Sequence, residues 1–266
     1  MGKNPCFCPG LCYTFFVPST RKKENDHAFH PAFPHQPADP AAELPRQGAG
    51  LLYKLIQSFP DYSDFLHDTG YSDGGKQFKL FCFSDLTGPH HLRGKTIIFP
   101  QRFSFQLRTA DPILGDLLYQ ALMQEQSYQL GNQQIWLERV ETTRLQLDAQ
   151  QVKLRMASPI TVYASLPDGK TRYYNPLDPE FSHGVNDNYH AKWRSATGTE
   201  APGDVTLITL SVGQRDKCVT QIKGTWVNAW YGTYLLKGSP QAIQFLYHTG
   251  LGAKNSMGFG LFDIVK

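Results

Sequence analysis

The 266-residue sequence is short of charge: Asp, Glu, Lys and Arg make up 18% of it, below the ~25% usual for a globular chain. That excludes a coiled coil and a halophilic surface. No stretch approaches the ~18 consecutive apolar residues of a membrane helix. The start, MGKNPCFCPGLCYTFFV, lacks the apolar stretch and cleavage site of a signal peptide, and Cys6 stands where a myristoylation signal has Ser or Thr. A soluble, cytoplasmic protein with no membrane partner is the expectation. The cysteines, Cys6, Cys8, Cys12, Cys82 and Cys218, are odd in number, so no disulfide framework follows. What the chain does have is apolar substance: 41% hydrophobic residues and 13% aromatics, enough for a large core in one big domain or two small ones.

Charge is unevenly distributed. Residues 1–150 carry 14 basic and 15 acidic side chains, and residues 151–266 carry 12 and 8. The second half therefore has room for a polyanion, although an ordinary basic surface is the plainer reading. Cys6, Cys8 and Cys12 crowd together, with His27, His30 and His35 shortly after. Thiolate and imidazole suit zinc, but C-x-C-x3-C matches no closed-site spacing. Reduced thiols and loop histidines are the preferred reading, with no metal.

The periodicity supplies an order of elements. LCYTFFV (11–17) reads as a strand and the Pro/His-rich stretch 18–46 as a long loop. Leu51, Leu52, Leu55, Ile56 and Phe59 share a helical face, and a short second helix ends at Gly70. Strands are expected at 78–84 and 95–108, a helix at 111–124 with Asp111 as cap and Pro112 at its first position, and a strand at 134–147. The order β-α-β-β-α-β then repeats: a strand at 152–164, a polar helix at 178–195, strands at 205–212 and 216–236, a helix at 239–248 capped by Ser239, and a last strand GFGLFDIV. The class is α+β, with two tandem ferredoxin-like (RRM-like, βαββαβ) domains, 1–147 and 148–266.

Between that last helix and strand lies Gly250-Leu-Gly252-Ala-Lys254-Asn255-Ser256-Met-Gly258-Phe-Gly260. It is neither a dinucleotide fingerprint nor a P-loop: Asn255 occupies the third glycine's place, the loop feeds a strand, and no G-K-[ST] occurs. Its N–H groups could converge on phosphate oxygens as a nest. Equally, its glycines could serve a tight, packed connection.

The pattern G-φ-G-x5-G-φ-G near the C-terminus resembles the glycine-rich loop of the CRISPR-associated repeat-processing endoribonucleases, the Cas-six family of the RAMP superfamily. GLLYKLIQSFPDYSDFLHDTG followed by FKLFCFS, and SPITVY followed by YYNPLDPEFS, are similar to that family in the same order, so the likeness covers about 45–266. The Cys cluster and Pro/His loop depart from the family's short first connection.

The resemblance implies metal-independent cleavage of CRISPR repeat RNA (pre-crRNA), without cofactor, to release guide RNAs. The 2′-hydroxyl would attack the adjacent phosphorus, leaving a 2′,3′-cyclic phosphate and a 5′-hydroxyl. Matching segments give His67 as acid or base, Tyr53 as orienting hydroxyl and Lys79 as charge stabiliser. RNA binding falls to Gly250, Gly252, Lys254, Asn255, Ser256, Gly258 and Gly260. Partners implied are the repeat RNA, subunits of a CRISPR effector complex, and a second copy of the chain as homodimer. The alternative is a non-catalytic RNA-binding module of such a complex. Read from the residues alone, each of the three has a plainer role: Tyr53 as packing on an amphipathic helix, His67 as an exposed helix-end residue, Lys79 as a snorkelling lysine. Weaker nucleic-acid candidates are His90, His91, Arg93 and Lys95 around a turn, Arg102 and Arg108 on one strand face, and Lys192 and Arg194 beside Trp193.

Overall fold

A strand's two-residue period puts Tyr13, Phe15 and Val17 of Leu11–Pro18 on one buried face. The computed structural model describes residues 11–18, 32–34, 44–93, 96–124, 127–130, 133–222 and 224–265. Helices α1 (Leu44–Ile56) and α2 (Pro60–Asp64) follow the first strand, then Phe81–Phe83 and Arg102–Thr109, helix α3 (Pro112–Gln124) and strand Arg139–Thr143. The four strands form one antiparallel sheet in the order 139–143, 11–18, 102–109, 81–83. Phe103, Phe105 and Leu107 join Tyr13 and Phe15 in a core closed by Leu52, Leu118 and Leu122 from the helices.

The second half repeats the plan. Strands Gln151–Met156, Thr206–Ser211, Tyr234 and its neighbours (Thr233–Lys237) and Phe262–Ile264 form a sheet in the order 206–211, 233–237, 151–156, 262–264. Helices α4 (Pro179–Thr197) and α5 (Pro240–Thr249) cover it. Leu154, Phe181, Tyr189, Tyr234, Ile243 and Leu246 fill this core. The expected pair of ferredoxin-like units is the observed architecture. Both halves meet closely: Leu80 from the first half is buried in the second core, with Tyr71, Phe78 and Ala110 packed against it. Among the described residues no helix is long and apolar enough to cross a membrane.

Caps explain the helix starts. Asp111 Oδ1 accepts from the Ile113 and Leu114 amides at 2.9 and 3.3 Å, and Ser239 Oγ accepts from the Ala242 amide at 3.2 Å. Pro follows both caps, where no N–H is required.

Several expected strands are divided. The one expected at 78–84 becomes a hairpin arm (Lys76–Phe78) and a core strand (81–83), because Leu80 takes φ +49° between them. Pro100 separates Thr96–Ile98 from 102–109. The 134–147 expectation splits into 133–136, paired with 127–130, and 139–143. The 152–164 expectation stops at Met156 and resumes at Tyr163–Ser165. The strand expected at 216–236 is divided as well, with 217–222 pairing 225–230 before 233–237 enters the sheet. Within the expected loop 18–46, Ala32–Pro34 forms an edge strand on 96–98, a place proline tolerates, and α1 opens at Leu44. Cys6, Cys8, His27, His30, His35 and Lys95 lie outside the described residues.

Candidate functional site

Strand 76–78 and the turn after it face α4, the segment 162–165 and the glycine loop across a cleft of about 610 Å³. Lys76, Lys79, Lys192 and Lys254 line it, and Asp187 is the acidic residue among its walls. An excess of cations at a concave surface focuses a positive potential on it.

The glycine loop is built mainly as a packed connection. Gly250, Gly252, Gly258 and Gly260 all have positive φ. A Cβ on Gly252 would sit 2.5 Å from the Thr161 carbonyl oxygen, and one on Gly260 would sit 2.1 Å from that of Leu251. A Cβ on Gly250 would sit 2.7 Å from Asn255 Nδ2 and 3.0 Å from Cys82 Cβ. Asn255, expected among the RNA-binding residues, has its amide engaged within the loop: Nδ2 donates to the Leu251 and Phe259 carbonyls at 3.0 and 3.1 Å, and Oδ1 accepts from Lys192 Nζ at 3.0 Å. Lys254 and Ser256 face the cleft. Lys254 holds a left-handed backbone, φ +59°, and its Nζ lies 5.1 Å from the Tyr163 ring centroid. Burial pushes its pKa below the usual lysine range.

Tyr53 and Lys79 come together although 26 positions apart. Lys79 Nζ donates to Tyr53 Oη at 2.9 Å and lies 4.8 Å from the ring centroid. Lys79 also lines the cleft. His67 is not brought into hydrogen-bonding contact with that pair. It lies on the π-helical turn Phe65–Thr69, with its side chain 78% exposed and Nδ1 2.7 Å from Asp68 Oδ1. The turn is nevertheless tied to the hairpin arm that leads into Lys79: Gln77, which lines the cleft, donates through Nε2 to the Asp68 carbonyl at 2.8 Å. Leu66 is buried beneath the turn. Tyr62 and Tyr71, on either side of it, both donate to Asp111 Oδ2.

The weaker candidates separate. Arg102 is exposed at its strand's end, but Arg108 is buried, with 1% of its surface exposed. Its guanidinium bonds the Phe262 carbonyl at 2.5 Å and Asp263 at 2.6 Å, joining the halves. Trp193 is packed edge-on against Phe245 and Tyr189 and cannot stack a base. Arg194 pairs with Asp73 at 2.9 Å. Lys192 alone of that trio faces the cleft. His91 and Arg93 are exposed on a hairpin, and His90 sits 3.0 Å from the Gly88 carbonyl. Among the described residues no group of three His, Cys, Asp or Glu is placed to hold a metal. Cys12 is buried against Gln106.

Comparison with known proteins bears on the whole chain. Residues 141–264 match the family model of CRISPR associated protein Cas6, C-terminal. The CRISPR-associated endoribonuclease Cas6 of Pyrococcus furiosus is 23% identical over 216 residues, covering 81% of this chain and 80% of that one. The solved structure of a Cas6-related gene product from Pyrococcus furiosus superposes with a TM-score of 0.76 at 15% identity, over 97% of this chain and 99% of that one. That of a RAMP protein binding different RNA substrates gives 0.72 at 16%, over 97% and 100%. At these identities the structural likeness speaks for the fold.

Proposed function

We propose that this chain, whose residues 141–264 match the Cas6 C-terminal family model and which is similar to a Cas6 endoribonuclease over most of its length, is an endoribonuclease that binds CRISPR repeat RNA and cuts it to guide length. One observation supports this most: the Lys79–Tyr53 pair sits at a lysine-lined cleft between the two halves, beside the turn that carries His67.

The chemistry follows from the groups. Asp68 on Nδ1 favours the tautomer that keeps the proton there and leaves His67 Nε2 to take a proton from the RNA 2′-hydroxyl or, protonated, to give one to the departing 5′-oxygen. The 2′-oxygen then bonds to phosphorus as the P–O5′ bond breaks, giving a 2′,3′-cyclic phosphate and a 5′-hydroxyl. Lys79 offsets the charge that builds on the non-bridging oxygens, and Tyr53, held by Lys79, orients the reacting oxygen. Lys254 and Ser256 meet the RNA backbone from the glycine loop, while Gly250, Gly252, Asn255, Gly258 and Gly260 shape it. No step requires a metal ion. Subunits of an effector complex and a second copy of the chain are further partners of this reading.

A specific observation favours a second reading, a module that holds repeat RNA without cutting: His67 is exposed and bonded to its neighbour rather than to Lys79 or Tyr53. Cleavage of the host repeat RNA in excess EDTA, with a parallel substrate carrying a 2′-deoxy nucleotide before the cut, decides between them. A single cut that survives EDTA, vanishes with the deoxy substrate and is lost in His67→Ala supports the nuclease. Tight binding with no cut in either buffer supports the module. Undiminished cutting by His67→Ala removes His67 from the mechanism.

A further inference from the structure

Lys192 is a buried lysine, 2% exposed, whose hydrogen-bond partners are uncharged. From α4 its Nζ donates to the Gly250 carbonyl at 2.5 Å and to Asn255 Oδ1 at 3.0 Å. An ammonium has three N–H donors, so one remains beyond these two. Among the described residues no ion pair involves Lys192. Asp187, the acid lining the same cleft, is exposed and makes no such pair. Lys79, Lys76 and Lys254 on the other walls add positive charge, and the nearby Cys82 thiol, pushed up to about 12 by burial, is neutral at physiological pH. Burial lowers Lys192 itself to about 7. A buried ammonium with hydrogen bonds but no counter-charge is stabilised when an anion completes it.

We propose that Lys192 is the base of an anion site in this cleft and that its third N–H takes a phosphate oxygen of the bound RNA. Assigning the anion to RNA rests on the function proposed above; the phosphate chemistry does not. The same side chain bonds Gly250 and Asn255, so the anion site is built directly onto the glycine loop.

The test uses the full chain and reads binding, not cutting. The Lys192 side-chain pKa is followed by NMR with no ligand, with inorganic phosphate, and with a non-cleavable 2′-deoxy repeat oligonucleotide. In parallel, the salt dependence of oligonucleotide affinity is measured for wild type, Lys192→Met and Lys192→Arg. The expected result is a rise of the Lys192 pKa with the oligonucleotide, and a log–log salt slope about 0.7 shallower in Lys192→Met and restored in Lys192→Arg. A merely structural lysine would weaken binding without changing the slope, and that result overturns the proposal. If Lys192→Met does not fold, a wild-type pKa unchanged by both inorganic phosphate and oligonucleotide overturns it. A shift with inorganic phosphate and none with the oligonucleotide keeps the anion site and overturns the RNA assignment. A shifted pKa in a protein that never cuts RNA leaves the anion site standing and removes the nuclease reading.

Discussion

Asp111 accepts the hydroxyl of Tyr71 at 2.8 Å on the carboxylate that also caps α3. Tyr62 donates to the same Oδ2 oxygen. Tyr62 precedes the His67 turn and Tyr71 follows it, so one buried carboxylate pins both ends of that turn to the start of a core helix. Burial and this carboxylate raise both phenol pKa values, which keeps the hydroxyls as donors.

Asp111→Ala is therefore expected to lower the unfolding free energy by about 3 kcal/mol, from a lost helix cap and two hydroxyls left without their acceptor. Tyr71→Phe removes one donor and should cost about 1 kcal/mol. Urea unfolding measures both. If His67 acts in cleavage, Tyr71→Phe should also lower kcat while RNA affinity stays within about twofold (less than ~0.5 kcal/mol). A fall in affinity with unchanged kcat would place the turn in binding instead.

Arg108 is the corresponding fastener between the halves. Besides Phe262 and Asp263 it bonds Gln106 at 2.6 Å, and its guanidinium carbon lies 3.9 Å from the Tyr247 ring centroid. Arg108→Met removes the fork and leaves the buried Phe262 carbonyl without this donor, a cost of about 3 kcal/mol. Arg108→Lys should recover little of it, because an ammonium cannot reproduce the planar fork. Hydrogen exchange should show the amides of strand 262–264 opening faster than those of α3. Uniform acceleration across both sheets would mean that Arg108 stabilises the fold without joining its halves.

Patterns that depend on neighbours in sequence were legible in advance, and patterns that depend on the facing half were not. The alternation of 11–17 and the caps Asp111 and Ser239 are local, and each appears where the sequence places it. Arg102 and Arg108 share a strand face in the sequence, but the second half, through Tyr247, Phe262 and Asp263, packs over Arg108. Trp193 reads as a base-stacking residue until α5 brings Phe245 against it. The family likeness names Tyr53 and Lys79 as candidate site residues, and no spacing rule would have found the contact between them. Lys192 gave only the weak signal of a cation beside an aromatic. Its isolation from carboxylates belongs to the folded cleft.

The glycine loop separates shape from binding. Gly260→Ala puts a Cβ 2.1 Å from the Leu251 oxygen and 2.5 Å from Asn255 Nδ2, at φ +80°. Strain at such a φ alone costs a non-glycine residue about 1–2 kcal/mol, and the clash with a packed carbonyl adds to it. Gly260→Ala should unfold at markedly lower urea. Lys254→Ala touches the cleft but no such packing, so it should keep wild-type stability and lose RNA affinity with a shallower salt slope. Reduced stability in Lys254→Ala with intact affinity would reverse these roles.

His248 makes the seam sensitive to acid. It is 2% exposed on α5, one residue before Thr249, and burial, helped by Arg108, lowers its pKa to about 4. Gln244 approaches Nε2 at 2.7 Å and also bonds Leu145 and Leu147, fastening the segment between the two sheets. An amide donor at Nε2 requires the neutral ring with its proton on Nδ1. As pH falls through ~6.5 the unfolded histidine takes up a proton that the folded one refuses until about pH 4. This contribution is thus fully present above the unfolded pKa and is lost between ~6.5 and ~4, by at most about 3 kcal/mol. Urea midpoints of wild type and His248→Gln, compared from pH 7.5 to 4.5, isolate it from carboxylates common to both. The wild type should lose stability steeply across that window and the variant only shallowly. Parallel curves would show that His248 is protonated in the fold, and that Arg108 does not repel it.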